Sequence, residues 1–226
     1  MLDDIITKET LDFLIQLKNN NNREWFTKNK PEFKHHEKSV KVFFEAVALK
    51  LGTHDEIERT KMFRIYRDVR FSKDKTPYKA HFSGSFTRAG AQRRGGYYLQ
   101  IKPGESFLAT GFWAPNKEDL QRIRKELEED ASEMREVIHQ ENFKEAWGKL
   151  KGDELKTAPK GFDRAHKDID LIKKKQFIFS REFTDKEVLS SNFIDEINGT
   201  FKAVRPFFDY MSDVLTTNLN GESLLE

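Results

Sequence analysis

The segment FRIYRDVRFSKDKTPYKAHFSGSF, residues 63–86, decides the fold class, because here apolar residues begin to recur every second position. Phe63, Ile65, Val69 and Phe71 alternate with Arg64, Tyr66, Asp68 and Arg70, the pattern of a strand with one wet face. Arg67 breaks the pattern by falling on the apolar side. Phe82, Gly84 and Phe86 resume it against His81, Ser83, Ser85 and Thr87. Between the two runs lies a loop containing Pro77, so the segment reads as two strands and their connection.

Downstream, Tyr97-Tyr98-Leu99-Gln100-Ile101 and the run from Phe107 to Trp113 flank Pro103-Gly104, a turn dipeptide. Residues 176–183 read as a fifth strand. Strands joined by short turns pair antiparallel, and the rest of the chain carries a helical period. Leu11, Phe13, Leu14, Ile15 and Leu17 predict a first helix over residues 8–18, ended by the Asn19 to Asn22 run. Pro31 suits the first turn of a second, whose face is Phe33, Val40, Phe44, Val47 and Leu51 before Gly52. Arg23-Glu24-Trp25-Phe26 lies between them, with the aromatic pair read as helix packing rather than an exposed stacking platform.

Asn116, three residues before Asp119, is placed to cap a helix with apolar positions Leu120, Ile123, Leu127, Ala131, Met134 and Ile138 and a largely acidic outer face. Phe143 and Trp147 indicate a further short helix. Phe193, Ile197, Phe201, Val204, Phe208, Met211 and Leu215 predict one long C-terminal helix kinked at Pro206. The expected architecture is therefore α+β: a mostly antiparallel sheet of about five strands packed with N-terminal helices, a middle acidic helix and a long C-terminal helix. At 226 residues, without repeats or a low-complexity linker, the chain is expected to form a single domain over 1–226.

Twenty Phe, five Tyr and three Trp supply large units of buried area, which weighs against disorder in a chain that is 35% charged. The start, Met1-Leu2-Asp3-Asp4-Ile5-Ile6, lacks the basic and apolar regions of a secretory leader, and no apolar run approaches the ~18 residues of a membrane span. A cytoplasmic location is expected. The absence of cysteine removes disulfides, thiol nucleophiles and thiolate metal sites, and fits a reducing compartment.

Charge is distributed unevenly. Residues 59–102 hold 12 Lys or Arg against 2 acids, a local +10, while the remainder carries 28 basic and 36 acidic residues, or −8. A partner would dock on that one basic region, since a general nucleic-acid tail would be basic throughout. Within it, residues 64–79 contain six Lys or Arg and only Asp68 and Asp74. Arg64, Tyr66, Asp68 and Arg70 share one face, followed by Lys73, Asp74, Lys75, Tyr78 and Lys79. With Arg67 they are the candidate ligand-binding residues. Arginine grips phosphate or carboxylate with two hydrogen bonds, lysine adds point charge, and Tyr66 and Tyr78 offer hydrogen bonds or stacking. Set against this is an internal network in which Asp68 and Asp74 pair with these cations and a buried Arg67 ties the segment to the body.

Other motifs are scarce. No GxxxxGK[ST], GxGxxG, GxSxG or HExxH occurs. His35, His36, His54, His81, His139 and His166 are too scattered to define a metal site, and Asp163, His166 and Asp170 read as loop capping. No metal, cofactor or catalytic residue is assigned, and oligomeric state is left open. The leading expectation is a binding module for an anionic, phosphate-bearing ligand, with nucleic acid among the candidates. The alternatives are an enzyme acting on a phosphorylated substrate through Asp68 or Asp74, and a protein-interaction domain that meets an acidic partner.

The run from Arg64 to Lys79 resembles the central motif of domain of unknown function family 2461. Asn21-Asn22-Arg23-Glu24-Trp25-Phe26 is similar to that family's early segment, Gly95-Gly96-Tyr97-Tyr98-Leu99 and Gly111-Phe112-Trp113-Ala114-Pro115 to its middle, and Pro159-Lys160-Gly161-Phe162-Asp163 to a later loop. The resemblance implies one family-wide unit and brings no activity or cofactor with it. Arg93-Arg94 makes the 88–94 loop more basic than a typical hairpin tip.

Overall fold

A computed structural model describes residues 4–225. Ten helices and five strands are present among them, the strands forming one antiparallel sheet in the order β1-β2-β3-β4-β5, so the α+β expectation holds. The strands are β1 Ile57–Met62, β2 Phe82–Arg88, β3 Gly96–Ile101, β4 Ser106–Phe112 and β5 Phe177–Phe183. The described residues fall into two compact units, and β2 to β5 contribute to both.

The first unit takes in residues through Phe86, Tyr98–Leu108 and Glu182–Gly199. It opens with α1 Lys8–Asn19, α2 Arg23–Lys28 and α3 Lys30–Leu51. Thr7 caps α1 by accepting from the Thr10 N–H, and Asn22 caps α2 by accepting from Trp25 N–H. Phe33, His36, Val40, Phe43, Phe44, Val47 and Leu51 are the buried face of α3. Phe33 stacks on Phe82 at 5.9 Å and Phe44 on Phe86 at 5.6 Å, which seats α3 on β2. Gly84 permits the approach, because a Cβ there would lie 2.6 Å from both the Lys61 carbonyl oxygen and the Phe44 ring. Phe26 is buried and Trp25 packs 5.9 Å from Phe13, so that pair joins helices as expected. Ile15 differs from expectation and stays 43% exposed. The unit also contains α8 Asp185–Val188, closed by a Thr184/Glu187 capping box, and the start of α9 Phe193–Ala203.

The first strand is not where the alternation placed it. β1 ends at Met62, and residues 63–81 form an irregular loop with a single bridge between Tyr66 and Tyr78. Side-chain oxygens capture its backbone: Asp68 accepts from the Arg70 N–H and Asp74 from the Thr76 N–H, while Pro77 has no N–H to give. β1 itself is Ile-Glu-Arg-Thr-Lys-Met, an exposed edge strand whose charges conceal the period-two signal.

The second unit comprises Thr87–Tyr97, Ala109–Arg181 and Thr200 onward. The single helix expected from Asn116 is two, α4 Lys117–Glu129 and α5 Ser132–His139, because Asp130 accepts from the N–H and hydroxyl of Ser132 and starts a new turn. Two short helices follow, α6 Glu141–Trp147 and α7 Ile169–Ile172. The C-terminal helix is likewise broken rather than kinked: α9 stops at Ala203 and α10 Arg205–Thr216 begins with Pro206 in its first turn, where a missing N–H costs nothing. Phe207 anchors the core, 5.1 Å from Phe179, 6.0 Å from Phe112 and 6.5 Å from Phe143. The buried Arg88 side chain lies over the Phe208 ring and donates to the Arg94 carbonyl. The buried Arg124 donates to the carbonyls of Ile172 and Lys174.

A cationic cleft at the foot of the basic loop

Two backbone bonds close the neck of the 63–81 loop: Arg67 N–H donates to the Pro77 carbonyl at 2.9 Å and Lys79 N–H to Ile65 at 2.8 Å. Asn21 braces the neck from α1's end, its amide donating to the Tyr78 carbonyl and accepting from the Tyr78 N–H. Tyr78 then stacks on Phe26 with 3.9 Å between ring centres. Beneath this neck, and wholly within the first unit, lies a cleft of about 520 Å³ lined by Lys18, Asn21, Arg67, Asp68, Asp74, Thr76, Tyr78, Lys79, Ala80, His81 and Lys102. A volume of this order suits a small-molecule ligand.

Both local carboxylates are engaged. Asp74 pairs with Arg67 and accepts from the Thr76 hydroxyl and N–H; the Thr76 bonds, then Arg67, hold its carboxyl below the usual carboxylate range. Asp68 accepts a two-pronged grip from Arg70 at 2.9 and 2.6 Å, which lowers its pKa in the same way. The Arg67 side chain is 30% exposed, so it is both ion-paired and within reach of the cleft. Lys18, Lys79 and Lys102 add three further cations, of which Lys102 pairs with Glu105 at 2.6 Å.

Burial, reinforced by the surrounding positive charge, shifts two neighbours. Burial, then the charges of Arg64 and Arg67, lowers the Lys79 pKa. His81 is pushed down to about 4 by burial and by Lys79, Lys102 and Arg67, with Glu105 opposing. At neutral pH its ring is uncharged, able to donate one hydrogen bond and accept another.

Of the residues expected to bind ligand, Arg67, Asp68, Asp74, Tyr78 and Lys79 line the cleft, whereas Arg64, Tyr66, Arg70, Lys73 and Lys75 do not. Those five are exposed on the outside of the loop; Lys75 turns back to donate to the Val69 carbonyl. The sequence reading missed Lys18, Asn21, Thr76, His81 and Lys102. His81, two residues after Lys79, and Thr76, two after Asp74, carried a spacing signal; Lys18 and Lys102 are brought in by the fold alone. Asp163 and His166 behave as capping residues: Asp163 accepts from the Ala165 N–H, and the His166 ring bonds the Glu128 carbonyl and the Asp168 N–H. Among the described residues no three His, Asp or Glu side chains gather in a metal-binding group, and no helix is long and apolar enough to cross a membrane.

The arrangement defines an α+β protein with a cationic, loop-capped cleft. The chain belongs to the family described as conserved hypothetical protein (DUF2461), whose model matches residues 9–210 and so takes in the sheet, the cleft and the helices up to the first half of α10. No curated protein and no solved structure matches it.

Proposed function

We propose that the protein binds a phosphate-bearing ligand in this cleft. One juxtaposition supports it: Lys18, Arg67, Lys79 and Lys102 border a recess of about 520 Å³ whose two carboxylates, Asp68 and Asp74, are both already engaged. Like charges so gathered repel one another, and an entering anion relieves that repulsion. Asn21, Thr76 and the neutral His81 supply directional hydrogen bonds. In the enzymatic alternative the proton acceptor would be the neutral His81 or the Asp68 or Asp74 carboxylate, the latter two made weaker bases by their Arg and backbone partners.

The test is calorimetric titration with inorganic phosphate, a sugar phosphate and a nucleoside monophosphate, against the matching unphosphorylated sugar and nucleoside. Phosphorylated probes should bind and neutral ones should not. Lys79→Met with Lys102→Met should weaken binding by at least tenfold, since a hydrogen bond to a charged group contributes ~1.5–3 kcal/mol. Equal affinity for phosphorylated and neutral probes, or none for either, sinks the proposal.

A further inference from the structure

We infer that the physiological ligand of this cleft is a single-stranded nucleic acid, its phosphates drawn into the cationic recess while one of its bases stacks on Phe71; the inference rests on the phosphate reading above. Nineteen of the 20 phenylalanines are buried or partly buried, whereas Phe71 is 96% exposed. A lone exposed ring is ordinary on a protein surface, as Trp113 at 70% exposed shows; what singles out Phe71 is its place in the basic loop, between Arg70 and Lys73 and on the same loop as the half-exposed Tyr66. The loop that carries it is braced at the neck by the Tyr66–Tyr78 bridge and across its tip by the bond from Lys75 Nζ to the Val69 carbonyl at 2.9 Å. The ring therefore stands on a tied loop.

Phe71 is three residues from Asp68 and three from Asp74, both of which line the cleft. Three residues of chain span at most ~10 Å, a length the sugar–phosphate backbone covers in one or two nucleotides. The flanking charge fits a polyanion better than a lone phosphate. Of the six cations at 64–79, Arg67 and Arg70 are paired with Asp74 and Asp68, while Arg64, Lys73, Lys75 and Lys79 form no ion pair among the described residues, Arg64 acting on Asp68 only through its longer-range charge. Basic residues interleaved with aromatic faces are how proteins hold single strands without reading sequence. An anionic bilayer fits less well: Phe71 is flanked by Arg70 and Ser72, leaving one ring to insert, and a recess binds a phosphate end-on where a headgroup plane is flat.

The experiment is fluorescence anisotropy at low salt with oligothymidylate of about 15 nucleotides, near the usual site size, and with an abasic strand of equal phosphate count. Wild type, Phe71→Ala, Phe71→Trp and Lys79→Met are compared, with inorganic phosphate titrated in parallel. Phe71→Ala should weaken oligothymidylate binding by about tenfold, leave the abasic strand and phosphate unchanged, and be rescued by Trp. Because Phe71 is exposed, its substitution leaves folding intact. Lys79→Met should weaken all three ligands, and four released counterions would give a slope of about −3 in log K against log salt. Phosphate binding without an effect of Phe71→Ala on the oligonucleotide overturns the nucleic-acid inference and leaves the phosphate site standing. Phe71-dependent capture by phosphatidylserine vesicles with no oligonucleotide binding also overturns it. Binding of neither phosphate nor oligonucleotide removes both.

Discussion

Acidifying the ligand-free protein should withdraw stability at one identifiable residue, His81. In the folded protein its pKa lies at about 4, against an ordinary 6.5, because burial and the cations Lys79, Lys102 and Arg67 penalise the imidazolium while Glu105 only partly offsets them. The unfolded chain takes the proton near 6.5 and the folded one does not. The contribution is therefore complete above 6.5, declines as pH falls below it, and is lost by about 4. At about 1.36 kcal/mol per pH unit the interval is worth roughly 3 kcal/mol, and since the ring is partly exposed, solvent screening reduces this to about 1–2 kcal/mol. For a chain of this size that is a fall in Tm of about 2–8 °C.

Carboxylates titrate in the same range, so the measurement is a difference. Urea unfolding of wild type and His81→Gln, at neutral pH and again near the folded pKa, should show the variant gaining about 1–2 kcal/mol relative to wild type on acidification. Histidine NMR then assigns the low pKa directly, the missing resonance in His81→Gln identifying the ring. Sulfate extends the experiment to function. It stays doubly charged across this range, so its presence in the cleft should raise the His81 pKa, and its affinity should climb as pH falls from 6.5 toward 4. A wild-type-minus-variant stability that is flat with pH, or a His81 that titrates near 6.5 without ligand, would refute the buried, cationic surroundings assigned to His81.

Three structural predictions accompany it. Gly111 has φ +109°, and a Cβ there would lie 2.1 Å from the Phe177 carbonyl oxygen, so Gly111→Ala should cost about 2–4 kcal/mol in denaturant unfolding; a loss under 0.5 kcal/mol would mean β4 and β5 separate easily. Phe207→Ala removes the ring shared by Phe112, Phe143 and Phe179 and should destabilise by about 3–5 kcal/mol, with a normal m-value if the core stays cooperative. Arg124→Lys should lose about 1–2 kcal/mol despite keeping the charge, because a single ammonium cannot match the planar fork that serves Ile172 and Lys174; full retention of stability would show that these carbonyls find water instead.

Much of the fold is legible before any coordinates. Helices α1 and α3 announce themselves by apolar spacing and by Asn or Gly stops, and β2 to β5 by alternation or aromatic runs between turn residues. The misplaced first strand shows where that legibility ends. Residues 63–71 alternate as a strand would, and their exposure does alternate through Arg70, but Asp68, Asp74 and Pro77 limit pairing to the single Tyr66–Tyr78 bridge. The true strand, β1, lies on the sheet edge with charge on both faces and leaves no period to read. Likewise Asp130 and Pro206 split two helices whose apolar stripes run on regardless, because a stripe records which face is buried and says nothing about whether the backbone is continuous.

By itself the sequence determined the α+β class, the aromatic core, the family, and the 64–79 segment as the place where positive charge outruns its acids. Those properties are local: periodicity, composition and motif survive being read one residue after another. Which cations share a cleft was decided only by the tertiary structure. Lys18 arrives from the first helix and Lys102 from the β3–β4 turn to meet Arg67, Lys79 and His81, while Arg64, Lys73 and Lys75 are left on the loop's outer side. Coulombic repulsion and desolvation depend on distance in space and on depth from water. Sequence separation carries neither, which is why His81, which the sequence places only two residues from Lys79, becomes the group whose burial and cationic surroundings shift it furthest in the cleft.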